Sequence, residues 1–250
     1  MILITRPVSE AKDFSIALKR NNFLSLSDSI LSFNFRRKKI SLSKNKIFIV
    51  TSSQSVKALQ KNRAIYGELF DEGVFFVVGK KVSLNLKGIG VKNIKSISQD
   101  TDHLLRKIVS KGSKYKKLNY EYLCGSKIND DFISQCKNKK VLIRKKVLYD
   151  SIPSNELSKK TIQNIQNGKI KVVTFFSIYT AKIFFNLAKK EDILKDLHYN
   201  NVIIMCLSRR IAFSVAKMTK ILKKNSIKWS TLPNQESMIK SLKSIKKLNN

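Results

Sequence analysis

Residues 46–59 read KIFIVTSSQSVKAL. The opening Lys46–Val50 is a short, β-branched apolar run, as expected of a strand buried in a parallel sheet. It stops on three hydroxyl residues, Thr51, Ser52 and Ser53, and a helical pattern resumes over Ser53–Gln60. A strand that ends this way has four readings. The hydroxyls could supply a nucleophile, a phosphate cradle, a carboxylate cradle, or only the cap of the following helix.

The same unit recurs along the chain, which predicts an α/β protein. Before it lie a strand at Met1–Thr5 and a helix at Glu10–Asn21. After it come Gly73–Val78 with Lys81–Leu86, where Gly88-Ile-Gly90 closes the helix with a left-handed turn. Asp102–Ser110 reads as a helix, and Tyr120–Cys124 as a strand leading into a helix at Asp130–Cys136. Lys140–Ile143 and Lys146–Tyr149 read as extended. The second half offers Lys171–Phe176 with Tyr179–Ala188, then Asn201–Leu207 with Arg210–Leu222. A short strand at Ile227–Ser230 and a helix at Gln235–Lys246 follow. IFIVTSSQSVKAL matches VVTFFSIYTAKIFF, and VFFVVGKKVSLNL matches VIIMCLSRRIAFSV. Pairing Ser52 with Ser177 and Gly79 with Ser208 gives nearly equal separations, in the same order, so two similar α/β domains with parallel sheets are expected. No Pro- or Gly-rich linker divides them. The extended segments Ser29–Phe35 (SILSFNF) and Val147–Ile152 (VLYDSI) instead suggest a two-stranded connector, with the first domain built from both chain ends.

Composition bounds the function. The 250 residues carry 50 Lys+Arg against 17 Asp+Glu, a formal net charge of +33. Such a charge suits a polyanionic partner: nucleic acid, an anionic membrane or a small polycarboxylate. However, lysine far outnumbers arginine and is spread evenly among Asn and Ile, which reads as compositional bias rather than one binding stripe. Three cysteines, Cys124, Cys136 and Cys206, form no CxxC pair, so a disulfide framework or zinc ribbon is not expected and a reducing cytoplasm fits. The N-terminal apolar run is too short for a signal-peptide core, and no run approaches the ~18–20 residues of a membrane span.

Absences narrow the chemistry. The two histidines, His103 and His198, sit in polar, helix-like contexts and favour neither a triad nor a metal site. Neither GxGxxG nor GxxxxGK[ST] occurs. The acidic pairs Asp130-Asp131 and Glu191-Asp192 fall at helix starts, where capping explains them. What remains is a set of strand-to-helix turns: Thr5 and Arg6; Thr51, Ser52 and Ser53; Gly79, Lys80 and Lys81; Gly125, Ser126 and Lys127; Ser177, Ile178 and Tyr179; Ser208, Arg209 and Arg210. In an open parallel sheet these turns collect at the carboxyl ends of the strands, where ligands bind. Each helix start adds free N–H groups and partial positive charge. The expectation is a site that grips several anionic groups, chiefly through backbone amides. The nucleophile reading lacks a base and the phosphate reading lacks its glycines.

These residues carry a resemblance. ILITRP, FIVTSSQSVKAL, FFVVGKKV, YLCGSKI, VLYDS, VTFFSIYTAKIF, CLSRRIA and LPNQESMIKSL, in this order and spacing, make the chain similar to the uroporphyrinogen-III synthase family. The resemblance implies two similar Rossmann-like domains with parallel sheets, one at 1–31 plus 151–250 and a second at 37–146, with connector strands at 32–36 and 147–150 and a substrate cleft between the domains. The implied reaction uses no metal or cofactor. Hydroxymethylbilane, a linear tetrapyrrole with an acetate and a propionate on every ring, loses its terminal hydroxyl and closes with the last ring inverted. The implied partners are this substrate and, by transient hand-over, hydroxymethylbilane synthase, with no specific nucleic acid, no membrane and a monomeric enzyme. Tyr149 in VLYDS matches the family's best-known tyrosine, which is assigned to the departing hydroxyl. Ser52 and Ser177 match the hydroxyls of the two TS-like turns and, with Ser53, Gln54 and the other turn residues, are assigned carboxylate contacts. Lys80-Lys81-Val82 and Arg209-Arg210-Ile211 depart from the pattern, because the family often carries threonines there. Two other classes remain open: a basic nucleic-acid-binding module, and a small-anion binding protein without chemistry.

Overall fold

A computed structural model of the protein describes residues 1–37, 39–42, 46–110, 115–128, 131–219 and 224–245. In chain order the elements begin with β1 (Ile2–Ile4), α1 (Val8–Lys19), β2 (Ser25–Ser27) and β3 (Leu31–Phe35). Next come β4 (Lys46–Val50), α2 (Ser53–Lys61), α3 (Gly67–Glu72), β5 (Val74–Val78), α4 (Lys80–Gly88) and β6 (Ile94–Ser98). Then follow α5 (Thr101–Val109), β7 (Asn119–Gly125), α6 (Asp131–Asn138), β8 (Ile143–Pro153) and α7 (Lys159–Gln166). The last are β9 (Val172–Phe175), α8 (Ile178–Lys190), α9 (Leu194–Tyr199), β10 (Ile203–Cys206), α10 (Arg209–Met218), β11 (Ile227–Trp229) and α11 (Gln235–Lys243).

The chain divides into two compact units, Met1–Ser32 with Ile152–Asn250, and Phe33–Ser151. Both boundaries fall inside strands, β3 and β8, which are neighbours in one sheet. Within the second unit the Arg36 N–H donates to the Leu148 carbonyl at 2.8 Å.

The first unit holds a sheet ordered β11-β10-β9-β1-β2, with parallel pairing throughout. Ile2 and Ile4 turn one face toward Phe14 and Leu18 of α1 and Met238 and Leu242 of α11. Toward the other face Phe175 meets Phe184 and Phe185 of α8, with ring centroids 5.4 and 5.5 Å away. A sheet covered on both faces explains the unbroken apolar run ILI.

The second unit holds a sheet ordered β3-β8-β7-β4-β5-β6, parallel from β8 to β6. Along β4 the side chains alternate between two cores. Phe48 and Val50 join Val56 and Leu59 of α2 and Leu86 of α4, whereas Ile47 and Ile49 join Leu104 and Ile108 of α5 and Phe132 of α6.

Numbered within their own units and leaving aside the edge strand β3, the strands run 2-1-3-4-5 in the first and 3-2-1-4-5 in the second, which match the two common doubly wound orders over these five strands. The two are related by circular permutation. β6-β5-β4-β7-β8 and β11-β10-β9-β1-β2 are the same spatial series, and the chain start supplies in the first unit what β7 and β8 supply in the second. This is why the sequence repeat joins β4 and β5 to β9 and β10 and then stops.

Several local expectations change. Lys140–Ile143 and Lys146–Tyr149 were two extended segments by pattern. Only Ile143 of the first segment joins the second in one strand, β8, which begins at Ile143, while Lys140 adopts φ 56° in the turn after α6. Asn201 likewise has φ 48°, so β10 starts at Ile203. The predicted left-handed turn sits at Gly90, φ 97°, where the Val91 N–H returns to the Leu86 carbonyl at 3.1 Å. The expected positions Asp130, Leu222 and Lys246 lie outside the described residues. No helix among the described residues is long and apolar enough to cross a membrane.

Candidate functional site

In each unit the strand order reverses at one point, and the carboxyl ends of the flanking strands form the crevice where open α/β sheets bind ligands. In the second unit this point lies between β4 and β7, so the Thr51–Ser53 turn meets the Gly125–Ser126 turn. The residue that dominates it comes from the neighbouring strand β8. Val147 pairs with Cys124, but Tyr149 pairs with Gly125, so β8 carries one extra residue, Leu148, at this step. Such a bulge re-aims the side chain that follows it.

The re-aimed Tyr149 crosses Gly125. A β-carbon at position 125 would lie 2.5 Å from Tyr149 Cε2 and 3.0 Å from its hydroxyl oxygen. Glycine is therefore required here by close approach. The Ser126 N–H donates to the Tyr149 carbonyl at 2.9 Å, which ties the two strand ends together. Phe33 of β3 meets the Tyr149 ring edge-on at 5.4 Å between centroids, and Phe35 meets it at 6.3 Å. These contacts fix the ring, which belongs to a residue only 7% exposed. Its hydroxyl lies 3.1 Å from Ser52 Oγ.

Ser52 is the N-cap of α2, where its Oγ accepts from the Ser55 N–H at 3.0 Å. It also lies 3.0 Å from Ser55 Oγ, and Ser55 Oγ donates to the Leu123 carbonyl at 2.8 Å. Beside this chain, Thr51 Oγ1 and the Tyr122 hydroxyl are 2.8 Å apart. Burial pushes the Tyr122 phenol up to about 12, against the lowering effect of the Thr51 hydrogen bond, so it stays protonated at neutral pH. Ser53 opens α2, and Gln54 behind it is buried.

Other turns of the second unit are more open. Gly79 caps α4 at φ 93° with no side-chain hydrogen bond, and Lys80 and Lys81 are exposed. Ser126 and Lys127 are also exposed. Next to Tyr149, Asp150 accepts from Arg36 through both carboxylate oxygens, at 2.6 and 2.5 Å, which raises the Arg36 pKa.

In the first unit the reversal lies between β1 and β9. Thr5 is buried, and its hydroxyl donates to the Thr174 carbonyl at 3.0 Å. Arg6 stacks on Phe176, 3.9 Å from the ring centroid, and its guanidinium is paired with Glu10 at 2.6 Å. The arginine is thus held flat and partly neutralised. Ser177 caps α8 by accepting from the Thr180 N–H at 3.0 Å, with Ile178 and Tyr179 half-buried behind it. Ser208 caps α10 more loosely, 3.4 Å from the Ile211 N–H, and Arg209 and Arg210 are exposed. All three serines therefore act as caps, and their turns still present the remaining amides of each first turn.

Among the described residues no three His, Cys, Asp or Glu side chains gather as a metal site. A cavity of about 380 Å³ lies at the opposite, amino ends of β4, β7 and β8, lined by Lys46, Glu121 and Arg144 among others, and contains none of the predicted site residues.

Comparison with known proteins bears on this geometry. The family described as uroporphyrinogen-III synthase HemD matches residues 26–221. The chain belongs to the uroporphyrinogen-III synthase family. Among solved structures, uroporphyrinogen-III synthetase from Helicobacter pylori aligns with a TM-score of 0.67 at 13% identity, over 98% of this chain and 99% of that one. A mutant uroporphyrinogen III synthase from the extremely thermophilic bacterium Thermus thermophilus aligns at 0.58 and 12% identity, over 97% and 96%. At such identities these likenesses show the fold. No curated protein sequence matches the chain.

For a uroporphyrinogen-III synthase family member, the structure brings Ser52, Gly125 and Tyr149 into one constellation, with Thr5, Arg6 and Ser177 at the reversal point of the other unit. Sequence reading missed Ser55, Tyr122, Phe33 and Phe35. Ser55, three residues after the cap, and the alternation of SFNF were the available signals.

Proposed function

We propose that the chain is a uroporphyrinogen-III synthase that acts as a cofactor-independent, cyclising hydro-lyase on hydroxymethylbilane. The observation that carries this reading is the Tyr149–Ser52 contact at the strand-order reversal, in a chain of this family. The turns support binding of the acetate and propionate arms through helix N-terminal amides, with the exposed Lys80, Lys81, Lys127, Arg209 and Arg210 adding charge-assisted hydrogen bonds.

In the proposed step the terminal pyrrole nitrogen pushes out the hydroxyl, which takes a proton and leaves as water. Tyr149 is the group assigned to that hydroxyl. The resulting azafulvene carbon is attacked by the substituted position of the last ring to give the spiro intermediate, which then breaks that position's original bridge bond and re-forms it at the ring's other α-position, so that the ring is inverted. Without an enzyme the same azafulvene closes uninverted to the type I isomer. Selectivity is therefore a matter of holding one ring geometry over another, which rigid positioning supplies. Family membership favours this reading over the nucleic-acid and small-anion alternatives. The test supplies hydroxymethylbilane to the purified protein and separates the isomers. Type III product supports the reading, and type I alone opposes it.

A further inference from the structure

The strand beside Tyr149 does more than supply two aromatic rings. Phe33 and Phe35 of β3 pack on the tyrosine, and the next residue is Arg36. The Arg36 N–H donates at 2.8 Å to the carbonyl of Leu148, the extra residue of the β8 bulge. Its guanidinium reaches past Tyr149 to Asp150, with Nε 2.6 Å from one carboxylate oxygen and Nη2 2.5 Å from the other. A two-pronged pair of this kind fixes angle as well as distance. The Arg36 carbonyl accepts in turn from Asn62 Nδ2 at 3.3 Å. Buried Asn62 is the C-cap of α2, the helix whose N-cap is Ser52. One residue therefore holds β8 on both sides of Tyr149, and also meets the far end of the helix that brings Ser52 to the tyrosine hydroxyl.

A bulge is a choice of register. Without the extra residue, Leu148 would pair with Gly125 and the side chains beyond it would change faces. With it, the consecutive Leu148 and Tyr149 both enter the core shared with Val56 and Leu59 of α2. Slip of β8 by one residue at this step would break both of its bonds to Arg36. We propose that Arg36 is a positioning residue for Tyr149, holding through Leu148 and Asp150 the β8 bulge that carries the phenol to Ser52. The segment 32–36 was expected only as a connector strand, and Arg36 was not among the expected site residues. The effect on turnover rests on the proposed role of Tyr149, whereas the hold on the bulge can be read without substrate. The side chains of the pair are 37% and 30% exposed, so it adds little to global stability, and its influence is local.

The test uses the full-length protein with Arg36→Ala, which removes the link to Asp150 and keeps the backbone bond to Leu148. Amide hydrogen exchange is read first, at Ser126, whose N–H donates to the Tyr149 carbonyl. Exchange there should rise about tenfold, as expected when charge-assisted hydrogen bonds are lost, while the amides of β5 keep their protection. With hydroxymethylbilane, kcat for type III product should fall about tenfold with KM little changed, because a smaller fraction of the protein holds the competent geometry. In a Tyr149→Phe background the same substitution should cost less than about twofold, since a residue that acts through the phenol has nothing left to position. Arg36→Lys, which keeps the charge without the fork, should fall between wild type and Arg36→Ala, and carries the same measurements if the alanine variant does not fold. Unchanged exchange at Ser126 overturns the inference. So does an undiminished kcat in an active enzyme, an equal loss in both backgrounds, or a raised KM with kcat unchanged, which would make Arg36 a ligand contact. Raised exchange in a protein whose wild type lacks synthase activity upholds the hold on the bulge and opposes only the proposed reaction.

Discussion

The Tyr149 ring occupies the volume that any side chain at Gly125 would need, with Cε2 and Cζ 2.5 and 2.6 Å from an ideal β-carbon there. Gly125 has no positive φ, so its requirement comes from this contact alone. Gly125→Ala must displace the ring from the slot formed with Phe33 and Phe35. Overpacking of this kind costs about 1–3 kcal/mol, and a displacement near 1 Å at a reacting group costs about 10²-fold in rate. The expected result is a folded protein with a modestly lowered Tm and about 100-fold lower kcat, read by thermal melts and isomer-resolved turnover.

Tyr149→Phe separates the hydroxyl from the ring. The phenylalanine keeps the contacts with Phe33 and Phe35, and Ser52 keeps its cap bond to the Ser55 N–H. The stability loss should be about 1 kcal/mol, one net hydrogen bond. Turnover should fall at least about 10²-fold, the lower range for loss of a general acid. Denaturant midpoints and kcat measured on the same preparation check both parts.

The three serine caps should not be equal. Ser177 holds the Thr180 N–H at 3.0 Å, whereas Ser208 holds the Ile211 N–H at 3.4 Å. Ser177→Ala is expected to cost about 1 kcal/mol and Ser208→Ala about half of that. Urea unfolding with an unchanged slope reads the difference.

Alkaline pH should destabilise the fold before it affects neutral-pH properties. Burial pushes the Cys136 and Cys206 thiols up to about 12 from 9.0, and the Tyr122 phenol to about 12 from 10.0. Below about pH 8 these groups are almost wholly neutral in both states and contribute little slope. Between pH 9 and 12 the unfolded chain releases protons that the folded protein keeps, so the folded state binds more protons and stability falls as pH rises. Urea midpoints should be nearly flat from pH 7 to 8 and decline increasingly above that. The decline should be shallower in a Cys136→Ala, Cys206→Ala double variant compared with its own neutral value.

Much of the fold is visible in KIFIVTSSQSVKAL and its repeats, because strands buried on both faces and capped helices leave strong local signals. Weak elements were hidden for physical reasons. β2, Ser-Leu-Ser, is too short and polar to announce itself, and in α7 the run KKTIQNIQ buries only Thr161 and Ile165. Lys140 and Asn201 adopt left-handed conformations that the extended pattern around them conceals. At the site, Ser52 was legible as a cap and Tyr149 through the family resemblance. What no local pattern encodes is the bulge at Leu148, which aims Tyr149 across Gly125, or the register that brings Leu123 under Ser55. Those relationships arise from pairing between β7 and β8 and from the packing of α2, and they make a cap into one link of a hydroxyl chain.

The central claim is that this chain directs ring closure through Tyr149. The most direct measurement gives hydroxymethylbilane to the wild-type protein and to Tyr149→Phe at equal concentration, oxidises the products and resolves the type I and type III isomers. The account predicts predominantly type III product with the wild type and a shift toward type I with Tyr149→Phe, as spontaneous closure overtakes the slowed enzyme. Type I alone from a folded wild-type protein, or undiminished type III from Tyr149→Phe, would contradict it.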